Sequence, residues 1–193
     1  VSYNVGDSAC TDKALYVTSQ WRIFSDLQKG YVDLGILGGA QIDKYGNMNT
    51  TTIFGEGGYG KPLVRLPGSG GANDIGSSAR RTVYMMALEK RRFLPRVDYI
   101  TTPGYLNGGD SRERVGLCGS GPVSVITNKC IFKFDKCTKE MYVESLHPNV
   151  TTEEVKKEVT WDTYEEEFKV VMSEIRKMGV EGAVFGDIDI QEH

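Results

Sequence analysis

The sequence predicts an α/β fold: a mostly parallel sheet with flanking helices, ending in an antiparallel meander. Three observations predict it. Short apolar runs at residues 32–37, 63–66 and 82–87 alternate with segments of helical spacing or small-residue composition. Further apolar runs at 14–18 and 97–101 extend that alternation. From residue 123 onward, three strand-like runs follow one another with only short polar breaks. Strands alternating with helices build a parallel sheet covered on its faces, and strands joined by short turns pair antiparallel.

Taken in order, residues 14–18 and 32–37 read as buried strands. Between them Trp21, Phe24 and Leu27 recur at every third residue, a helical spacing ended by Lys29-Gly30. Residues 63–66 read as a strand, followed by Pro67-Gly68-Ser69-Gly70-Gly71-Ala72-Asn73-Asp74 and a small-residue segment, 75–79, that suits a helix start. Strands follow at 82–87 and 97–101. Residues 103–121 contain six glycines and little periodicity, which suggests a functional loop rather than a connection. The runs 123–126, 130–134 and 140–146 form the meander, separated by Asn128-Lys129 and by residues 135–139. Thr151 and Glu154 stand at capping-box spacing before a short helix. After Trp161 the composition turns charged, with Tyr164, Phe168, Val171 and Ile175 at helical spacing and Gly179 as the stop. The reading therefore divides the chain into a main domain, 1–160, and a helix–strand extension, 161–193.

Composition narrows the function classes. The chain has 193 residues, 39% hydrophobic and 25% charged, a balance that suits a soluble globular protein. The net charge is −3, and basic residues cluster only at Glu89-Lys90-Arg91-Arg92, so nucleic acid is not an expected partner. No apolar run reaches membrane-spanning length and no basic-then-apolar leader opens the chain, so no membrane association is expected. Cys10, Cys118, Cys130 and Cys137 form no C-x-x-C pair, and His147 and His193 complete no zinc pattern, so no metal is expected. Free thiols in a reducing cytoplasm are the preferred reading; Cys130 facing Cys137 across a hairpin is the alternative. The chain begins at Val1 rather than Met, which is read as a processed or N-terminally truncated product.

The Pro67 run is the most informative segment. A glycine loop between strand and helix presents backbone N–H groups to whatever docks there, and glycines let a thioester or phosphate approach without a Cβ in the way. Such donors suit a developing oxyanion. Its spacing is neither G-x-G-x-x-G nor a Walker loop, and a simple tight turn remains the other reading. Ser69 and Asn73 offer hydrogen-bonding side chains, with helix capping an alternative role for Asn73 or Asp74. Upstream, Gly38, Gly39 and Gln41 follow a strand's C-terminal end, where open α/β sheets place ligands. Gln41 either reaches a ligand amide or bonds a neighbour within its own loop.

Taken together and in order, eight runs resemble the beta subunit of family I CoA-transferases, the glutaconate and 3-oxoacid types. They are Gly30-Tyr31-Val32-Asp33-Leu34, the Gly38-Gly39-Ala40-Gln41 run, the Pro67 run, Glu89-Lys90-Arg91-Arg92-Phe93, Asp98-Tyr99-Ile100-Thr101-Thr102-Pro103-Gly104, Arg112-Glu113-Arg114, Gly121-Pro122-Val123 and Ser145-Leu146-His147-Pro148. The resemblance covers roughly residues 1–160 and implies the CoA-transferase fold, a heterooligomer with a homologous alpha subunit, and coenzyme A as part of the substrate. It implies covalent transfer: a glutamate attacks an acyl-CoA thioester, becomes an enzyme–CoA thioester by way of an anhydride, and yields the CoA to a short dicarboxylic or oxo acid. Gly71 matches the family's oxyanion-hole glycine, and Gly39, Gln41, Gly68, Ser69, Gly70 and Asn73 are the candidate CoA contacts. The family's nucleophilic glutamate falls upstream of Val1; Glu56 reads as a solvated loop acid, and Glu89 and Glu113 as ion-pair partners of nearby cations. Arg112 and Arg114 either pair with a substrate carboxylate or form structural salt bridges. A ring-cleaving CoA-thioester hydrolase and an inert acyl-CoA-binding or assembly protein are the alternative readings. Trp161-Asp162-Thr163-Tyr164 and Ala183-Val184-Phe185-Gly186 resemble a fragment of the diphthine–ammonia ligase type of adenine-nucleotide alpha hydrolase, from which no function is carried over.

Overall fold

In the computed structural model, residues 8–161 are described. The expected extension beyond Trp161 lies outside them, as do residues 1–7.

A helix, α1 (Gln20–Gln28), opens the body and buries Leu27. Strand β1 (Leu34–Leu37) follows. Three short strands come next: β2 (Gln41–Asp43), β3 (Met48–Asn49) and β4 (Thr52–Ile53). Strand β5 (Val64–Arg65) leads through the glycine loop into α2 (Ala72–Ser78), which feeds β6 (Arg81–Met85). Then come β7 (Phe93–Leu94), α3 (Ser111–Arg114), the meander β8 (Pro122–Ile126), β9 (Cys130–Phe134) and β10 (Met141–Leu146), and α4 (Thr152–Lys156).

The main sheet runs β1-β6-β8-β9-β10. Strands β1, β6 and β8 are parallel, and β8, β9 and β10 are antiparallel, so both the parallel part and the expected meander are present. A smaller sheet, β3-β2-β7, supplies Ile42, Met48 and Phe93 to the core, and β4 pairs with β5 alone. One face of the main sheet carries Tyr84, Val125, Phe132 and Val143, which pair in register across adjacent strands and are all buried. Phe93 stacks on Phe132 at 5.5 Å and on Trp161 at 6.4 Å. Burial of each large apolar side chain here contributes about 2–3 kcal/mol. On the opposite face Leu34, Ile36 and Met85 are exposed, Ile36 at 60%.

Two expected strands do not form. Residues 14–18 are irregular, and Leu15, Tyr16 and Val17 are exposed, with no strand beside them among the described residues. Residues 97–101 are also irregular. Their polar side chains bond to loops, and only the next residue, Thr102, makes a β-bridge, to Met48. Thr151 caps α4 as expected, its hydroxyl accepting from the Glu154 N–H at 3.4 Å.

The expected functional loop, 103–121, is instead a clamped structural segment. Arg112, 2% exposed, donates to the carbonyls of Pro103, Gly104, Gly76, Ser77, Cys118 and Gly119. It meets no carboxylate, and burial lowers its pKa from the ordinary arginine value. The expected substrate contact or salt bridge at Arg112 is corrected accordingly. Arg114 pairs with Asp110 at 2.9 Å on the surface.

The turn between β2 and β3 is fastened to this loop. Asn47 accepts the N–H groups of Gly104 and Leu106, both at 3.0 Å, and donates to Asp43 and to the Leu106 carbonyl. Burial pushes the Asp43 carboxyl above its ordinary range, against the hydrogen bonds from Asn47 and the Tyr45 N–H. Gly46 and Gly104 touch backbone to backbone. A Cβ on Gly104 would overlap the Gly46 carbonyl, and one on Gly46 would press on Phe134 and Pro122.

Candidate functional site

The glycine loop between β5 and α2 takes its shape from two left-handed residues, Gly68 at φ +103° and Gly70 at φ +48°. Only glycine adopts such angles at little cost. Gly71 follows at φ −90°, ψ 3° and stands as the N-cap of α2, its carbonyl accepting the Ile75 N–H at 3.0 Å. Successive residues of opposite hand turn their N–H groups toward one side, a concavity suited to an anion. Among the described residues, the backbone N–H groups of Ser69, Gly70 and Gly71 meet no protein acceptor. Gly70 and Ser69 are exposed, and Gly71 lies under the ring of Phe24 from α1.

The loop is held from outside. Gly68 donates its N–H to the Thr50 carbonyl at 2.9 Å, and its own carbonyl accepts the Thr50 hydroxyl at 2.9 Å. At the other end, Asn73 donates its amide to the Thr101 carbonyl at 3.0 Å. No side chain caps α2, so neither Asn73 nor Asp74 takes the capping role considered from sequence.

The upstream run reaches the same place by another route. Gly39 lies against the side chain of Met48, and its carbonyl accepts from Arg92 at 3.2 Å. Gln41, 4% exposed, donates to Asp98 at 3.1 Å and accepts from Asn49 at 2.6 Å. Asn49 in turn accepts the N–H groups of Thr51 and Thr52, and Asp98 accepts that of Phe54. The Gly39–Gln41 run and the Gly68–Gly71 loop therefore converge on residues 49–52, one from each side. The Gln41 amide is engaged inside this network, which matches the sequence reading of an amide bonded to its own surroundings.

Sequence reasoning misses Asn49, Thr50, Asp98 and Thr101. The polar run Asn47-Met48-Asn49-Thr50-Thr51-Thr52 is the available signal, since a dense Asn/Thr stretch seldom lacks hydrogen-bonding work. Glu56 is exposed, and Glu89 pairs with Arg91 at 2.6 Å and Arg92 at 3.3 Å. Cys118, Cys130 and Cys137 are free thiols. Among the described residues, no group of three or more His, Cys, Asp or Glu is placed to hold a metal ion, and no helix is long and apolar enough to cross a membrane. The arrangement is a rigidly backed set of neutral backbone donors, suited to a negatively charged oxygen.

A family model described as Coenzyme A transferase matches residues 3–158. One of the two subunits of the 3-oxoadipate CoA-transferase of Pseudomonas knackmussii is 42% identical over 159 residues, covering 82% of this chain and 60% of that protein. The corresponding subunit of the glutaconate CoA-transferase of Acidaminococcus fermentans is 46% identical over 130 residues, covering 67% of this chain and 47% of that protein. The chain thus spans between about half and three fifths of these relatives' length. The crystal structure of glutaconate coenzyme A-transferase from Acidaminococcus fermentans superposes with a TM-score of 0.71 at 36% identity, covering 90% of this chain and 70% of that one.

Proposed function

Since this chain belongs to the Coenzyme A transferase family, we propose that it serves as the beta subunit of a two-subunit CoA-transferase, moving CoA between an acyl-CoA and a short dicarboxylic or oxo acid. The observation that carries the reading is the Gly68–Gly71 loop, whose N–H groups at Ser69, Gly70 and Gly71 meet no protein acceptor among the described residues.

In this reading a glutamate carboxylate, supplied from outside the described residues, attacks the thioester carbonyl. The C–S bond breaks to give an acyl-enzyme anhydride and CoA thiolate. The thiolate attacks the anhydride at the enzyme's carbonyl, releasing the first acid and leaving a glutamyl-CoA thioester. The acceptor carboxylate then takes the acyl position by the reverse steps. Each addition places negative charge on the carbonyl oxygen, and the Gly71 N–H meets it with the positive end of α2 behind. Gly68, Gly70 and the Ser69 hydroxyl border the path of the CoA pantetheine. Gly39, Gln41 and Asn73 contribute by fixing the two loops, because the amides of Gln41 and Asn73 are already engaged.

The partner is a homologous alpha subunit; that each relative is named as one subunit of its enzyme supports this. Three free thiols, Cys118, Cys130 and Cys137, support a reducing cytoplasmic setting.

The test is co-expression of the native gene product with its neighbouring alpha-like subunit, then incubation with glutaryl-, glutaconyl- or acetoacetyl-CoA and intact-mass analysis. A covalent CoA adduct on a glutamate, discharged by an acceptor acid, is the expected result. Free CoA or a ring-opened product without an adduct would replace transfer by hydrolysis. CoA binding with no reaction would leave a binding protein.

A further inference from the structure

We propose that Thr101 is the positioning residue of the donor loop, setting the aim of the Gly70 and Gly71 N–H groups by holding both ends of their segment. The inference rests on the oxyanion reading above.

Thr101 is 3% exposed and uses every polar group it has. Its N–H donates to the Met48 carbonyl at 2.9 Å. Its hydroxyl oxygen accepts the Thr50 N–H at 2.9 Å and lies 2.7 Å from the Thr51 hydroxyl. Its carbonyl accepts the Asn73 amide at 3.0 Å. Thr50, held in this way, grips Gly68 at both its N–H and its carbonyl, each at 2.9 Å. Gly68 at one end of the loop and Asn73 at the other are therefore tied to one buried residue.

The glycines cannot supply this order themselves, since they have the widest conformational freedom of any residue. An oxyanion donor acts only within a few tenths of an ångström of its place, and a misplacement of about 1 Å costs on the order of 100-fold in rate. Fixing Gly68 and Asn73 leaves Ser69, Gly70 and Gly71 little room to turn. The Thr101 hydroxyl never needs to touch substrate. Its removal acts on the transition state, in which the oxyanion exists, and spares the ground state.

The test uses the intact two-subunit enzyme carrying Thr101→Val, Thr101→Ser or Thr50→Val. Thr101→Val keeps the shape and loses the acceptor; Thr50→Val removes the grip on Gly68 one step later. For Thr101→Val, kcat is expected to fall about 10- to 100-fold with KM for acyl-CoA within about threefold. Thr101→Ser restores kcat, and Thr50→Val falls like Thr101→Val. Amide hydrogen exchange over residues 66–75 is expected to quicken in both valine variants, a readout independent of activity. Unchanged exchange, an unchanged kcat in the folded valine variants, or a serine variant as slow as the valine one would overturn the proposal. If Thr101→Val does not fold, Thr50→Val decides by the same two readouts. Wild-type enzyme that forms no CoA adduct would instead sink the transferase reading, and exchange over 66–75 would still judge the role of Thr101.

Discussion

At Gly71 the backbone angles, φ −90° and ψ 3°, are open to any residue, yet a Cβ there would stand 2.9 Å from the Phe24 ring. Gly71→Ala is expected to displace the loop and lower kcat by about tenfold or more, and Phe24→Leu in the same chain to recover part of it, in steady-state assays of the two-subunit enzyme. Equal losses in single and double variants would show that the ring is not the obstacle. The free cysteines give a second expectation. Burial pushes the Cys130 thiol up to about 11, whereas Cys118 and Cys137 are exposed. Alkylation at pH 8 followed by peptide mapping should label Cys118 and Cys137 and leave Cys130 untouched until urea is added. Because the folded state holds the Cys130 proton more tightly than the unfolded chain, its contribution to stability is whole below about pH 9. It is lost as pH rises toward about 11. The urea midpoint of Cys130→Ala should therefore fall less than that of the wild type over that window. Gly71 is legible in the sequence because paired glycines between a strand and a helix have a local meaning. Thr101 is not: its partners Thr50 and Thr51 lie about fifty residues earlier, and a threonine beside Ile100 reads as a strand former.

At the scale of elements, the same contrast separates what periodicity encodes from what it cannot. The meander, α1 and the Thr151 cap announce themselves through apolar spacing and turn residues. The segment 97–101 has strand composition, but Asp98 is drawn to Gln41 and Phe54 and Thr101 to Thr50, and those bonds replace a ladder. The loop 103–121 reads as functional because it lacks periodicity. Its order comes from one guanidinium bonded to six backbone carbonyls, and carbonyls leave no trace in a sequence. A lysine at this position has three donors on a single nitrogen and cannot reach carbonyls on both sides of a planar fork. Arg112→Lys is expected to cost about 3 kcal/mol, the worth of one or two hydrogen bonds to a buried charge. The measurement is urea unfolding, and a change under about 1 kcal/mol would mean that the carbonyls find other donors. Activity should fall along with stability, because Gly76 and Ser77, which Arg112 holds, belong to the helix behind the donor loop.

For the whole molecule, the two faces of the main sheet differ. Parallel strands normally have both faces covered, but Leu34, Ile36 and Met85 face outward among the described residues, with Trp21 and Tyr31 also exposed. The chain produced alone is expected to bind an apolar dye and to self-associate at micromolar concentration, as judged by light scattering. A monodisperse monomer that leaves the dye dark would contradict this. The contact between Gly46 and Gly104, by contrast, closes the molecule's interior and has a consequence for its heredity. Each position excludes a side chain because of the other's backbone, and Gly46, at φ +71°, is also pressed by Phe134 and Pro122 of the meander. Most tight packing can drift by paired exchange, one residue shrinking as its neighbour grows. Here neither residue has anything left to shrink, so no compensating pair exists. A library saturating both codons together, sorted for folded protein, should return glycine at both and nothing else: two fixed letters around which the rest of the text is free to change.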